Sequence, residues 1–123
     1  MNVVDSSAWL EYFADGPNAP FFASAIEDVE TLLVPTVCIY EVFKKVLSER
    51  GEDAALQAVA LMRQGTIVEF DFAIALAAAL ISKEQRLPFA DSIIYATAKM
   101  RNAVVWTQDE HFALLENVQF RRK

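Results

Sequence analysis

Cysteine, histidine and glycine are scarce in this sequence of 123 residues, and each scarcity removes a class of chemistry. The single cysteine, Cys38, excludes an intramolecular disulfide and a cysteine-rich zinc site. The single histidine, His111, excludes a multi-histidine metal centre. The only glycines are Gly16, Gly51 and Gly65, so there is no P-loop and no dinucleotide fingerprint. No serine sits in a nucleophile elbow, and nothing around His111 fits the oxyanion site of a Ser–His–Asp triad. Nucleotide-cofactor and acyl-transfer chemistry are therefore set aside. The longest uninterrupted apolar run, Phe72–Ile81, is about half of what a membrane helix needs. The N-terminus has no basic segment of the signal-peptide kind, and a cytoplasmic protein with no membrane partner is expected.

What is present describes one globular domain over residues 1–123. Hydrophobic residues make up 54% and charged residues 23%, enough for a core without disulfides. The net charge is −6, and it is uneven. Residues 1–30 carry six acids and no base, whereas residues 93–123 carry five bases and three acids. An acidic balance is a poor match for a nucleic-acid binder. Divalent cations held among carboxylates would offset it.

Strands and helices alternate along the chain. Asn2–Asp5 reads as a β-branched strand ending in an acid, with Ser6 or Ser7 as the cap of a helix over Ala8–Ala14. Asp15-Gly16-Pro17-Asn18 is a turn. Phe22, Ala25, Ile26 and Val29 predict an amphipathic helix over 19–30. Thr31–Val34, Thr66–Phe70 and Ala103–Thr107 read as further strands, and Asn117–Phe120 as an edge strand. Helices are predicted from Pro35 or Thr36 to Gly51, over Glu52–Gln64, over Asp71–Arg86 with a Phe72/Leu76/Ala79/Leu80 stripe, and from Pro88 through Arg101. This is an α/β pattern with a mainly parallel sheet of four to five strands and helices on both faces. Two helices in each of two consecutive crossovers are unusual for a simple doubly wound unit.

The remaining chemistry lies in carboxylates. Asp5 ends the first strand, Asp109 lies two residues beyond the fourth, and Glu41 is early in the helix after the second. Ligands of an open parallel sheet bind beyond the carboxyl ends of its strands, so these three acids face one rim. Asp91 opens a helix, and this coarse topology does not by itself bring it there. Clustered carboxylates repel unless something positive sits among them. Hard oxygen donors suit Mg²⁺ or Mn²⁺, which at a phosphodiester activate water and stabilise the leaving oxygen. Each acid also has a plainer role. Asp5 and Asp109 suit helix caps, Glu41 can pair with Lys45 at i+4, and Asp91 complements a helix dipole. His111 reads as a surface or packing histidine. Trp9, Tyr12, Phe13, Phe21, Phe22 and Phe43 read as core or interface. Lys44, Lys45 and Arg50 either touch phosphates or form a solvated face, and Arg121-Arg122-Lys123 is a basic tail open to nonspecific RNA contact.

Four segments carry a family resemblance. Asn2-Val3-Val4-Asp5-Ser6-Ser7-Ala8-Trp9-Leu10 resembles the opening of PIN-domain ribonucleases. Val37-Cys38-Ile39-Tyr40-Glu41-Val42 resembles their second acidic segment. Leu87-Pro88-Phe89-Ala90-Asp91-Ser92 with the following Ile93–Ala98 is similar to the third, the most specific of the set. Val105-Trp106-Thr107-Gln108-Asp109-Glu110-His111-Phe112 resembles the fourth. Order, spacing and length agree over nearly the whole chain, and a chain of this size looks most like the VapC-type toxin of a toxin–antitoxin pair. The resemblance implies a three-layer α/β/α fold and a Mg²⁺- or Mn²⁺-dependent endoribonuclease with one or two ions. It implies Asp5, Glu41, Asp91 and Asp109 as the metal-binding and catalytic quartet, with Ser6 and Thr107 as supporting groups. It further implies an RNA substrate, a homodimer and a cognate antitoxin. Some relatives have an acid where this chain has His111, which leaves no fifth carboxylate for a second ion. Two other readings are a catalytically silent PIN-fold module that binds RNA or a partner, and a phospho-accepting receiver-type domain using Asp71.

Overall fold

The computed structural model describes residues 1–123. The chain folds into a five-stranded sheet of β1 (Asn2–Val4), β2 (Leu32–Pro35), β3 (Thr66–Val68), β4 (Val104–Thr107) and β5 (Val118–Phe120). Their order is β3-β2-β1-β4-β5, and every neighbouring pair is parallel. The expected three-layer α/β/α architecture is the one observed. The order excludes the receiver-type alternative, whose sheet runs 2-1-3-4-5. Asp71 caps a helix instead, its Oδ1 accepting from the Ile74 N–H at 2.9 Å.

The chain runs outward from β1 to β3 on one side and returns to add β4 and β5 on the other. The strand order therefore reverses beside β1, and the crevice of a parallel sheet opens at such a point. The central strands are buried on both faces. Val3, Val4, Leu32, Leu33, Val34 and Val105 are all at most 1% exposed. They belong to one contiguous core of 28 buried residues that also takes in Trp9, Phe22, Ile94 and Phe112. Phe13, Phe21, Tyr12 and Phe43 pack partly buried against it, as expected of core aromatics.

Each of the first three strands is followed by two helices: α1 (Ser6–Phe13) and α2 (Ala19–Ile26), α3 (Thr36–Arg50) and α4 (Glu52–Met62), α5 (Phe72–Gln85) and α6 (Phe89–Met100). A parallel sheet requires each crossover to return from the carboxyl to the amino rim. The last helix of the pair before β4 is α6, and its first turn meets the segment just beyond β4 through Asp91 and His111. α6 thus starts at the carboxyl rim, which is how Asp91 arrives there. Arg86, in the left-handed region at φ 58°, makes the turn between α5 and α6.

Two expectations are corrected, and one face left open is settled. α1 begins two residues earlier than predicted, because the Asp5 carbonyl already accepts from the Ala8 and Trp9 N–H groups. The helix expected over 19–30 stops at Ile26 and is followed by a 3-10 turn, Val29–Thr31. There Thr31 Oγ1 bonds the Asp28 carboxylate at 2.9 Å, a local side-chain bond that competes with helical backbone pairing. The stripe on α5 turns outward: Phe72, Leu76 and Leu80 are 79, 56 and 63% exposed, while the small Ala78 and Ile74 face inward. The nearly continuous apolar sequence of α5 left periodicity no power to choose the buried face.

Candidate metal centre at the carboxyl rim

Asp5 joins strand to helix. Its N–H donates to the Trp106 carbonyl at 2.9 Å, extending the β1–β4 ladder, while its carbonyl starts α1. Its side chain makes no helix-cap bond. The carboxylate instead accepts Ser7 Oγ at 2.6 Å and Thr107 Oγ1 at 2.9 Å. Thr107, fully buried at the end of β4, also accepts the Asp109 N–H at 2.9 Å. One hydroxyl thus ties the acid after β1 to the acid after β4.

Glu41 lies on the second turn of α3, where Oε1 accepts Ser6 Oγ at 2.6 Å. Lys45 pairs with Glu49 at 3.4 Å and not with Glu41, so the i+4 alternative is not the one formed. Asp91 sits in the first turn of α6 with Oδ2 2.8 Å from His111 Nδ1. Asp109 does cap the 3-10 turn Glu110–Phe112, its Oδ1 accepting from the His111 N–H at 2.9 Å. The same oxygen lies 3.3 Å from the imidazole Nδ1. Asp91, Asp109 and His111 each offer a ligand atom, and these atoms lie within 4.8 Å of one another.

The four acids named from sequence therefore stand at one rim. Asp91 and Asp109 converge directly, whereas Asp5 and Glu41 are held beside them through Thr107, Ser7 and Ser6. Sequence reasoning missed His111 and Ser7. The usable signal for His111 was its position two residues after Asp109 in a tight turn, which folds the ring back over its own cap.

The electrostatics are those of a crowded anionic pocket. Burial pushes the Asp5 carboxyl up to about 6; the Ser7 and Thr107 hydroxyls pull it down, and Asp91 and Asp109 push it further up. Asp91 is also raised, first by burial and then by Asp109, with His111 opposing both. His111 is raised above the usual imidazole value, chiefly by its hydrogen bond to Asp91. Behind the rim, Cys38 is fully buried with Sγ 3.6 Å from the Val4 carbonyl, and burial holds its thiol protonated. Thr107→Val should leave the Asp109 N–H without its partner and the Asp5 carboxylate with one donor fewer. A loss of about 1–3 kcal/mol is expected in urea unfolding.

An open parallel sheet with converging acids at its reversal point defines an α/β protein with a carboxylate centre suited to a divalent cation. The family model for the PIN domain matches residues 3–117, and the chain belongs to the PIN-domain family. Comparison with curated proteins returns no match. The fold is similar to a chain of a toxin–antitoxin complex from Klebsiella pneumoniae, with TM-score 0.81 and 18% identity over 97% of this chain and 96% of that one. It is also similar to VapC20 of Mycobacterium tuberculosis, described as a sarcin-ricin loop cleaving toxin, with TM-score 0.80 and 16% identity over 98% and 99%. PAE2754 from Pyrobaculum aerophilum aligns with TM-score 0.77 and 20% identity over 98% and 88%. At these identities the likeness is one of fold.

Proposed function

We propose that this chain is a Mg²⁺- or Mn²⁺-dependent endoribonuclease, and that it serves as the VapC-type toxin of a toxin–antitoxin pair in the cytoplasm. The observation that carries the reading is the convergence of Asp91, Asp109 and His111 within 4.8 Å, beside a buried Asp5 whose only hydrogen-bond donors are hydroxyls. The donor set fits a hard or borderline divalent ion: several carboxylate oxygens, one imidazole and no thiolate within reach. Asp5, Asp91 and Asp109 would hold one or two ions, with Glu41 acting directly or through water. Such an ion, when bound, supplies an activated water and charge stabilisation at the phosphodiester.

The chain's own groups do the positioning. Thr107 Oγ1 fixes Asp5 relative to Asp109, and Ser6 Oγ fixes Glu41. His111 Nδ1 lies 2.8 Å from Asp91 Oδ2 and holds that carboxylate in place, and a cation bound there would compete with the proton between them. Products with 5′-phosphate and 3′-hydroxyl ends are expected. The test is purified, antitoxin-free protein on total RNA, with and without Mn²⁺. Cleavage should require the metal, and Asp91→Asn should lower it by about 100-fold or more, beyond the loss typical of groups that merely support a ligand. Equal cleavage by parent and variant would overturn the site assignment.

The outward stripe of Phe72, Leu76 and Leu80 supports a homodimer, since a contiguous apolar surface of this kind is characteristic of an interaction site. In sedimentation, Leu76→Glu with Leu80→Glu is expected to run as a monomer where the parent runs as a dimer. A parent that is already monomeric would remove this part of the reading. Several structures of similar fold are toxin–antitoxin complexes, which supports a protein inhibitor as the second partner.

A further inference from the structure

The chain is acidic, yet five of its 11 lysines and arginines lie around one side of the carboxylate rim. A groove of about 290 Å³ runs between α1, α3 and the C-terminal tail, and Lys45, Arg50 and Lys123 line it together with Ser7. A second depression continues from Ser7 and Lys123 to Arg122 and Asp109, an acid of the proposed metal site. A third, beside Glu41, is lined by Lys44 and Lys45. Basic side chains therefore form a path that reaches the acids at both ends.

The tail is built into this path. The Arg121 N–H donates to the Thr107 carbonyl at 3.0 Å, the Arg121 guanidinium lies 4.2 Å from the Phe21 ring centre, and Asn18 Nδ2 donates to the Arg122 carbonyl at 3.1 Å. The acids in the groove are already engaged. Glu11 accepts the Asn18 N–H at 2.8 Å, and Glu49 pairs with Lys45 at 3.4 Å. Glu110 pairs with Arg122 at 3.3 Å in the depression beyond. Arg50, Lys44 and Lys123 have no carboxylate partner, and Arg50 donates only to the Phe13 carbonyl at 3.4 Å. Exposed pairs such as Lys45–Glu49 are weak and exchange readily for phosphate oxygens.

We propose that the groove between α1, α3 and the anchored tail is the substrate track, where Lys45, Arg50 and Lys123 hold successive phosphates of single-stranded RNA running into the carboxylate rim. This rests on the nuclease reading above and adds where the strand lies. The alternative of a merely solvated basic face on α3 is disfavoured because the tail supplies charge to the same groove from the far end of the chain.

The test is fluorescence anisotropy of a labelled single-stranded RNA in EDTA across a salt series, which needs no cleavage. For Lys45→Gln/Arg50→Gln/Lys123→Gln, the slope of log affinity against log salt should flatten by about 0.7 for each lost contact, about 2 in all. That corresponds to roughly 100-fold weaker binding at 0.1 M salt relative to a 1 M reference. The control Arg63→Gln/Lys99→Gln/Arg101→Gln removes the same charge at the amino rim and should keep the parental slope. All six positions are exposed, and matched melting temperatures verify folding. If the parent cleaves RNA with Mn²⁺ but the groove variant keeps the parental slope, or both variants flatten equally, the track is overturned and the nuclease reading stands. A parent that neither binds nor cleaves RNA overturns both.

Discussion

At pH 8 without metal, Asp5→Asn should unfold at a temperature about 10 °C above the parent. Asp5 is 2% exposed, and its carboxyl is raised from 3.8 to about 6. A raised acid favours the folded state while it is neutral, so that stability is complete below 3.8 and lost as pH rises through 6. The interval amounts to about 3 kcal/mol at one pH unit per 1.36 kcal/mol, which for a chain of this size is near 10 °C. Asparagine cannot ionise and escapes the penalty, while its amide oxygen can still accept from Ser7 and Thr107. The two proteins should converge below pH 4. Their order should reverse when Mn²⁺ is added at pH 8, because an ion held with the help of Asp5 would stabilise the parent more than a variant lacking that carboxylate. Calorimetry at pH 4 and pH 8, each with and without Mn²⁺, measures all four cases. A variant no more stable than the parent at pH 8 without metal would mean that ionised Asp5 is not penalised by its burial.

Divalent-ion affinity should rise steeply with pH. An ion held at the rim would compete with the proton on Asp5 and with the one between His111 and Asp91, because carboxylates and imidazole bind metal only when deprotonated. Below about pH 6, where Asp5 still holds its proton, each displaced proton contributes a factor of ten per pH unit. With both protons displaced, affinity should grow by roughly 50-fold between pH 5 and pH 6, where Asp5 is already part ionised, and then level off as each group loses its own proton. Titration calorimetry in buffers of different ionisation enthalpy counts the protons released. His111→Ala should lower that count by about one. A count near zero at pH 5.5 would show that the ion binds elsewhere.

The parts of the fold legible in sequence were those where one physical signal dominates. Asp5 is legible because a β-branched run ending in an acid before Ser-Ser reads as a strand running straight into a capped helix. The parallel sheet followed from short apolar strands separated by helices. Asp91 was legible by resemblance alone. Its arrival at the rim depends on α5 and α6 folding back on each other, a tertiary choice that periodicity does not encode. The contact of His111 with Asp91 is hidden from sequence for a related reason. A lone histidine has no spacing to read, and its contact with Asp91 spans 20 residues through two elements. The buried face of α5 is not legible because Phe72–Ile81 is apolar all round, and only packing against α6 decides which side is covered.

The pairing of β1 with β4 has a consequence during synthesis. Asn2 and Val104 are register partners, so β1 has no neighbour on that side until the chain has been made through β4. Until then Asp5 and Asp109 belong to separate, unjoined pieces. The carboxylate rim is thus completed late and from both sides of β1: an early piece of the chain carries Asp5 without the acid that will stand beside it.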